Sequence, residues 1–260
     1  MTQKPNSRCA QLWPLQPFPR IRPGDDLAAL IARALAHMSL ALCPGDVLVV
    51  AQKVISKSEG RIVRLDSVRP SDHAVELARR TRKDPRLVEL ILQESTEVVR
   101  VGVQVIVVEH RLGFVVANAG IDQSNVSDDG GEEEALLLPI NPDRSARLLR
   151  DDLSALTTVS CGVIINDSWG RAWRRGVVGQ AIGVAGMQSV VDLRGRRDLN
   201  GRELKATDVA QADELAAAGS MLMGQADEGT PVVLIRGFVA SGPDGDSRAL
   251  LRPRSEDLFR

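Results

Sequence analysis

The 260-residue sequence contains no tyrosine and only three tryptophans and four phenylalanines. So few aromatic rings leave little surface for stacking unpaired nucleobases, which argues against a protein that binds single-stranded nucleic acid. Charge does not favour a polyanionic partner either, because 33 Lys and Arg oppose 34 Asp and Glu and give a formal charge of −1. We therefore expect no nucleic-acid partner, and any anion site must be local.

Long apolar runs are also missing. The longest, Val47–Ala51 with Val54 and Ile55 shortly after it, is far shorter than the roughly 20 residues that a membrane-spanning helix needs. Residues 1–5 lack the apolar stretch of a secretory signal. We expect no membrane partner and a cytoplasmic location.

Cysteine is scarce, and its three positions, Cys9, Cys43 and Cys161, are far apart. This spacing includes no Cys-x-x-Cys pair, which argues against a disulfide framework and against a structural zinc site. We expect buried or inert thiols.

The common catalytic motifs are absent as well. The sequence has no Gly-Lys dipeptide and hence no phosphate loop, and it has no G-x-G-x-x-G, H-E-x-x-H or G-x-S-x-G. Its three histidines, His37, His73 and His110, offer little for histidine chemistry, and we interpret them as helix-end or surface residues. A nucleotide site in this chain would need another scaffold.

Composition and periodicity predict a globular α+β protein with mixed and antiparallel sheets. Apolar residues make up 43% and charged residues 26% of the chain, and its length allows one large domain or two modest ones. Apolar spacing and helix-start signals predict helices over residues 27–38, 71–82, 85–94, from 141 onward, and 207–223. Strands are predicted over 47–50, 159–165 and 232–235, with a hairpin of 103–108 and 114–117.

Two segments place hard oxygen ligands after apolar strands and beside glycine. Residues 118–125 offer Asp122 and Asn125, and residues 164–171 offer Asp167 and Ser168 where the strand meets a loop. Each segment alone is better explained as an Asx turn that satisfies its own backbone. Their joint presence favours a site for Mg²⁺ or Mn²⁺.

Cations follow two of the predicted strands and provide candidates for binding phosphates or carboxylates. The polar set after the first strand is Gln52, Lys53, Ser56 and Lys57, and the arginines after the second are Arg171, Arg174 and Arg175. Lysine acts as a compact point charge and arginine as a planar fork, so the two groups suit different anions. The alternative for any one of these arginines is a solvated surface cation.

Four blocks of this sequence, together with a shorter one, resemble a known family in order and spacing. The blocks are residues 45–60, 118–126, 167–186 and 213–237, with Leu137-Leu138-Pro139, Asp143 and Ser145-Ala146 between them. Over residues 11–240 they resemble the CofE-type coenzyme F-420-0:gamma-glutamyl ligases.

The resemblance implies an α+β homodimer of two interlocked lobes that uses GTP and two divalent ions, Mg²⁺ or Mn²⁺, with potassium as a further candidate cofactor. It implies a ligase unit over residues 11–245, an amino-terminal extension over 1–10 and a tail over 246–260. The substrates would be coenzyme F-420-0, L-glutamate and GTP. The gamma-phosphate of GTP would convert the terminal carboxylate of F-420-0 into an acyl phosphate, which the glutamate amine attacks.

Carried over position by position, the resemblance assigns roles to individual residues. The nucleotide would be held by Phe18, Pro19, Arg20, Ile21, Gln52, Lys53, Lys57, Asn125, Met223, Gly224, Gln225, Ala226, Asp227, Glu228, Gly229 and Thr230. Asp122 and Asp167 would hold one metal ion, and Ser168 and Gln225 a second. Lys57, Asp122 and Asp167 would be catalytic, while Arg171 and Arg174 are our hypothesis for substrate binding.

The chain departs from some family members at three places. Gln225 supplies a neutral amide where a carboxylate can occur, Asn166 replaces a hydroxyl residue, and Gln52-Lys53 differs from a pair of small hydroxyl residues. Two alternatives therefore stay open: a ligase of the same fold for another carboxylate acceptor, and a non-catalytic nucleotide-binding homologue.

Overall fold

A computed structural model describes residues 9–123, 133–238 and 243–258. The α-helices are α1 (Leu27–His37), α2 (Gln52–Ser58), α3 (Asp72–Thr81), α4 (Pro85–Gln93), α5 (Pro142–Thr157) and α6 (Gln211–Met223). The strands are β1 (Gln11–Pro14), β2 (Val47–Ala51), β3 (Ile62–Arg64), β4 (Ser95–Gly102), β5 (Val105–His110), β6 (Val115–Ala117), β7 (Glu134–Leu136), β8 (Gly162–Arg171), β9 (Arg174–Ala185), β10 (Val191–Asp192), β11 (Asp208–Val209) and β12 (Val232–Arg236).

The largest sheet has five strands in the order β1-β12-β2-β8-β9. Strands β2 and β8 run parallel, and the other neighbouring pairs are antiparallel. β2 lies at the centre of this sheet, and Val47, Leu48, Val49 and Val50 have no solvent exposure. A continuous β-branched run of this kind is expected for a strand covered on both faces.

Both faces of the sheet are covered by helices. Helices α1, α2 and α5 share one hydrophobic core with the side chains of Leu48, Val163 and Ile165. Helix α6 shares another with Val49 and Ile164. Alternate residues of β8 therefore point to opposite faces of the sheet, as the pleat of a strand requires.

A second group of elements has a core of its own. Helices α3 and α4 pack with the three-stranded sheet β4-β5-β6, and β3 pairs with β7. The predicted α+β class with mixed and antiparallel sheets is confirmed. No helix in the described ranges is long and apolar enough to cross a membrane.

The sequence prediction was wrong about the strand of residues 159–165. β8 begins at Gly162 and continues through Arg171, so Asp167 and Ser168 lie within a strand and not where a strand meets a loop. The polar residues stay extended because β9 pairs with them as far as Arg174. Local apolar patterning could not reveal this pairing, since the side-chain environment of a strand depends on its neighbours.

Other boundaries differ less. The helix predicted over 207–223 begins at Gln211, and the hairpin predicted from residue 103 is part of a three-stranded sheet that includes β4. Cys161 is buried, and this burial raises its pKa to about 12. Cys9 is exposed and Cys43 is half-buried, so for these two the expectation of a buried or inert thiol stays a prediction of an inert one.

Candidate functional site

The carboxyl end of β2 lies beside the middle of β8 in the five-stranded sheet. Ala51, the last residue of β2, lies opposite Asn166 of β8. Helix α2 begins directly after Ala51 and supplies Gln52 and Lys53, while β8 continues into Asp167. The parallel pairing therefore brings two polar segments together that are more than 100 residues apart in the chain.

Asp122 joins these residues from the segment that follows β6. Its backbone exchanges two hydrogen bonds with Leu136, which fix its position. Gln52 Nε2 donates to Asp122 Oδ2 at 2.9 Å, and the Gln52 amide is oriented in turn by Ser56 Oγ, which donates to Gln52 Oε1 at 2.8 Å. Lys53 Nζ lies 3.4 Å from Asp122 Oδ1. The Asp122 carboxylate thus contacts two residues of α2, a segment far from it in the chain.

Asp167 and Asp122 are close enough to influence each other's ionisation. Burial, and to a smaller degree the negative charge of Asp122, raise the pKa of Asp167 to about 7, against the lowering effects of the Ser168 N–H group and of Lys53. Burial also raises the pKa of Asp122, opposed by Lys53 and Gln52. Burial and mutual repulsion make it unfavourable for both carboxylates to be ionised. A bound cation would offset this unfavourable free energy.

The donor chemistry of this pair fits a divalent cation. Mg²⁺ and Mn²⁺ take carboxylate oxygens and complete their coordination with water or substrate oxygens. In the part of the chain that the structure describes, no three His, Cys, Asp or Glu side chains converge. Within the described residues, the further ligands available to an ion held by Asp122 and Asp167 are therefore neutral oxygens, with water or the substrate completing the coordination.

The other face of β8 carries a neutral polar cluster. Ser168 Oγ lies 3.2 Å from Ser220 Oγ of α6, and Gln225 Nε2 donates to both hydroxyls at 3.2 Å. Asn166 is buried beside them, and its Oδ1 has no hydrogen-bond partner. The structure thus brings together Ser168 and Gln225, the residues assigned to a second ion, but on the side of β8 that faces α6 and not beside Asp122.

The loop between α6 and β12 is closed by Thr230. Its hydroxyl donates to the carbonyl oxygens of Leu222 and Met223 at 3.1 Å, which satisfies the last turn of α6. Met223 itself is packed in the core with α6. Both ends of the loop are therefore anchored, and its exposed residues run from Gln225 to Gly229.

An open cleft of about 830 Å³ joins this loop to the segment after β1. It is lined by Gln16, Pro17, Phe18, His37, Met38, Glu228 and Gly229. Two of the segments predicted to hold the nucleotide thus face one cleft. Pro19 and Arg20 are exposed next to it, whereas the Ile21 side chain is buried in the core, so any contact of Ile21 with a ligand must come from its backbone.

Comparisons with known proteins show the family of this chain. The family model for F420-0:gamma-glutamyl ligase matches residues 17–237. This chain belongs to that family.

Several curated relatives, each named coenzyme F420:L-glutamate ligase, match nearly their whole length. The relative from Methanothermobacter thermautotrophicus is 51% identical over 245 residues, which are 94% of this chain and 96% of the relative. The one from Methanopyrus kandleri is 50% identical over 254 residues, 95% and 97% of the two chains. The one from Archaeoglobus fulgidus is 44% identical over 251 residues, 96% of each chain.

The remaining predicted site residues are Lys57 and Asn125, from the family resemblance, and Arg171 and Arg174, from our own hypothesis. Lys57 follows Lys53 by one turn of α2, so both lie on one side of that helix. Arg171 and Arg174 form the last pair of the β8–β9 hairpin, beyond Asp167 on the same ribbon. Asn125 lies outside the described residues.

Sequence reasoning missed Ser220. It predicted a helix with small residues along one side, and Ser220 is one of those small residues, so its spacing did not separate it from its alanine and glycine neighbours. Its contact with Ser168 depends on how α6 packs against β9. No local signal in the sequence carries that information.

Proposed function

We propose that this chain is a ligase that adds L-glutamate to coenzyme F-420-0, with GTP as co-substrate and Mg²⁺ or Mn²⁺ as the metal. Family membership and relatives of that name over nearly the full chain support the reaction class. The observation that carries the proposal within this chain is the Asp122–Asp167 pair, held beside Gln52 and Lys53. Such a pair suits a reaction in which a metal and lysines neutralise a triphosphate.

The reaction needs an activated carboxylate, because a carboxylate and an amine do not form an amide directly at neutral pH. The gamma-phosphoryl group of GTP would transfer to the terminal carboxylate of F-420-0, and GDP would leave. The glutamate nitrogen would then form a bond to the acyl carbon as the bond to phosphate breaks, releasing phosphate and the amine proton. One new amide and no change in oxidation state result.

Phosphoryl transfer requires mainly positioning and charge neutralisation from the protein. A divalent ion held by Asp122 and Asp167 would polarise the phosphoryl oxygens. Lys53 would leave its contact with Asp122 for a phosphate once the carboxylate charge is compensated, and Lys57 would present a second ammonium group one helical turn away. Gln52 donates a hydrogen bond that orients Asp122, and Ser56 orients the Gln52 amide by donating to its Oε1 atom.

Three properties complete the proposal and come from the family resemblance: a homodimer, a second divalent ion and potassium as an additional cofactor. The second ion would bind at Ser168 and Gln225. Because these donors are neutral, the charge to hold it must come from the nucleotide phosphates.

The decisive experiment combines the purified chain with GTP, Mn²⁺, L-glutamate and F-420-0. We expect mass spectrometry to show F-420-0 heavier by one or more glutamyl residues, together with one GDP for each. GTP-dependent ligation of glutamate to a different acceptor would favour the alternative ligase. Nucleotide binding without ligation or metal-dependent hydrolysis, whatever the acceptor, would contradict the enzymatic proposal.

The number of bound Mn²⁺ ions should depend on the nucleotide. We expect one Mn²⁺ per chain without nucleotide, at the carboxylate pair, and two in the presence of GDP, because only phosphate oxygens give the Ser168–Gln225 site enough negative charge. Counting free Mn²⁺ by electron paramagnetic resonance measures both numbers. Two tightly bound ions without any nucleotide would contradict this arrangement.

Arg174→Ala should weaken binding of the acceptor. Arg171 and Arg174 are paired across the hairpin, whereas Arg175 follows at the irregularity in the register and has no paired residue there. Loss of one charge-assisted hydrogen bond should raise the KM for F-420-0 about tenfold and leave the KM for GTP unchanged. Arg175→Ala is the matched control, and an equal effect of both variants would contradict a specific role for Arg174.

A further inference from the structure

An exposed tryptophan lies at the tip of the β8–β9 hairpin. Ala172 and Trp173 form the turn between Arg171, the last residue of β8, and Arg174, the first residue of β9. Trp173 is 87% exposed, and its φ of 62° lies in the left-handed region that bulky residues rarely adopt. The exposed ring buries little apolar surface that could offset the cost of this backbone conformation. Folding stability therefore does not explain a tryptophan at this position.

The hairpin holds this turn at a fixed place relative to Asp167. Both Asp167 and Arg171 belong to β8, so the turn begins about 13 Å from Asp167 along an extended strand. Trp169, midway between them, packs against Phe114 with the ring centroids 4.8 Å apart, and it also packs against the core that contains α1, α2 and α5. The base of the hairpin is therefore anchored, while its tip is open to a ligand.

The tip is basic as well as aromatic. Residues 169–179 contain no Asp or Glu, so no carboxylate of the hairpin tip offsets the positive charge of Arg171 and Arg174. A tryptophan ring can stack on a flat conjugated ring, and guanidinium groups bind phosphate oxygens through charge-assisted hydrogen bonds. The tip thus suits a ligand in which a planar ring system and an anionic group are joined.

We propose that Trp173 binds the acceptor by stacking on its deazaflavin ring system, while Arg171 and Arg174 contact its phosphodiester. The inference rests on the proposed function and adds to it the residue that recognises the ring.

The length of the acceptor fits this placement. In F-420-0 about ten single bonds separate the terminal carboxyl carbon from the ring system, a span of roughly 12 Å when the chain is extended. The reacting carboxylate must lie at the proposed metal pair of Asp122 and Asp167. The ring system of an extended acceptor would then reach the turn at Trp173, with the phosphodiester between the two ends.

Substitution of Trp173 separates recognition of the ring from recognition of the anion. Trp173→Leu keeps an apolar side chain but removes the aromatic face. We expect F-420-0, and a fragment of it that has only the deazaflavin ring and its ribityl chain, to bind about tenfold more weakly, as the loss of one stacked ring predicts. Binding of 2-phospholactate, the anionic end of the acceptor, and of GDP should not change. Titration calorimetry with Mg²⁺ present measures all four ligands.

Three further variants provide the controls. Trp173→Phe restores a flat ring and should recover most of the affinity for the ribityl fragment. Leu199→Ala shortens a fully exposed apolar side chain at another turn, and we expect all four ligands to bind it as they bind wild type. Arg174→Ala should show the converse pattern, with weaker binding of 2-phospholactate and unchanged binding of the ribityl fragment.

The possible results separate this inference from the proposed function. Three of them would overturn the role of Trp173: no binding of the ribityl fragment to wild type, equal affinity of wild type and Trp173→Leu for it, or equal losses in Trp173→Leu and Trp173→Phe. A parallel loss of GDP binding would also overturn it, because the effect would then not be specific to the ring. If the wild-type chain did not ligate glutamate to F-420-0, the proposed function itself would fail.

Discussion

Asp167→Asn should reduce the ligation rate by about two to three orders of magnitude without unfolding the protein. Even the loss of a group that only supports a metal ligand costs about ten- to a hundredfold in metal affinity or activity, and Asp167 is proposed as a direct ligand. The asparagine keeps the size of the side chain and an acceptor for the Ser168 N–H group. Initial rates with GTP, Mn²⁺, glutamate and F-420-0 measure the loss.

The exposed Asp152 of α5 provides the control. Asp152→Asn removes an equal charge from a helix surface away from the site, and we expect an unchanged rate. If Asp167→Asn retained wild-type turnover, the carboxylate pair would have no part in the chemistry.

The same substitution should stabilise the metal-free protein at alkaline pH. The pKa of Asp167 is about 7 in the folded protein, against 3.8 for the ordinary group. Between these two pH values the carboxyl is ionised in the unfolded chain but still protonated in the folded chain. The free energy of unfolding therefore falls as pH rises, and it stops falling above about pH 7, where the carboxyl is ionised in both states. Each pKa unit between the folded and unfolded states lowers the free energy of unfolding by about 1.4 kcal/mol.

Thermal unfolding in the presence of a chelator measures this cost. Since part of the Asp167 residue reaches solvent, we expect the advantage of Asp167→Asn over wild type to be larger by about 2 kcal/mol at pH 8 than at pH 5. For a protein of this size the corresponding difference in Tm is roughly 4 to 8 °C. Parallel Tm curves for the two proteins between pH 5 and pH 8 would show that Asp167 is not destabilised by its surroundings.

The sequence predicted the strands and helices with strong local patterns, because those patterns reflect burial directly. The β-branched run of β2 and the apolar stripe of α1 are examples, and both appear in the structure close to the predicted positions. The β8–β9 ribbon and α2 were not predicted. Residues 166–171 are polar and remain extended through pairing with β9, and α2 has seven residues, too few for a clear helical period.

In the candidate site, too, the features that depend on contacts between distant segments were not predicted from the residues. Acidic residues near apolar strands suggested a metal site, and the family resemblance placed both aspartates in it. The convergence itself follows from the parallel pairing of β2 with β8 and from the backbone bridge of Asp122 to Leu136. The separation of Asp167 from Ser168 by the two faces of β8 was not foreseen, because Ser168 was predicted to lie in a loop, where residues do not alternate.

Gly179→Ala should destabilise the fold and selectively damage the face of β8 that carries Ser168. Gly179 lies opposite Ser168 on β9. A Cβ there would come within 2.4 Å of Asn166 Oδ1, 2.5 Å of Ser220 Cβ and 2.6 Å of the Ala216 carbonyl oxygen. The last of these belongs to the backbone of α6 and cannot rotate away, so the helix must move off the sheet.

Overpacking of this kind typically costs about 1–3 kcal/mol, and we expect a loss at the upper end of that range in urea unfolding. Gly170→Ala in the same hairpin is the control, because its Cβ would meet nothing within 4 Å and its backbone is unstrained; we expect a change below about 0.5 kcal/mol. Displacement of Ser220 should also weaken the second, nucleotide-dependent Mn²⁺ of the folded variant, while the ion at Asp122 and Asp167 on the opposite face is retained. Equal loss of both ions would mean that the two faces of β8 do not form separate sites, and a stability like that of wild type would mean that α6 does not pack against Gly179 as described.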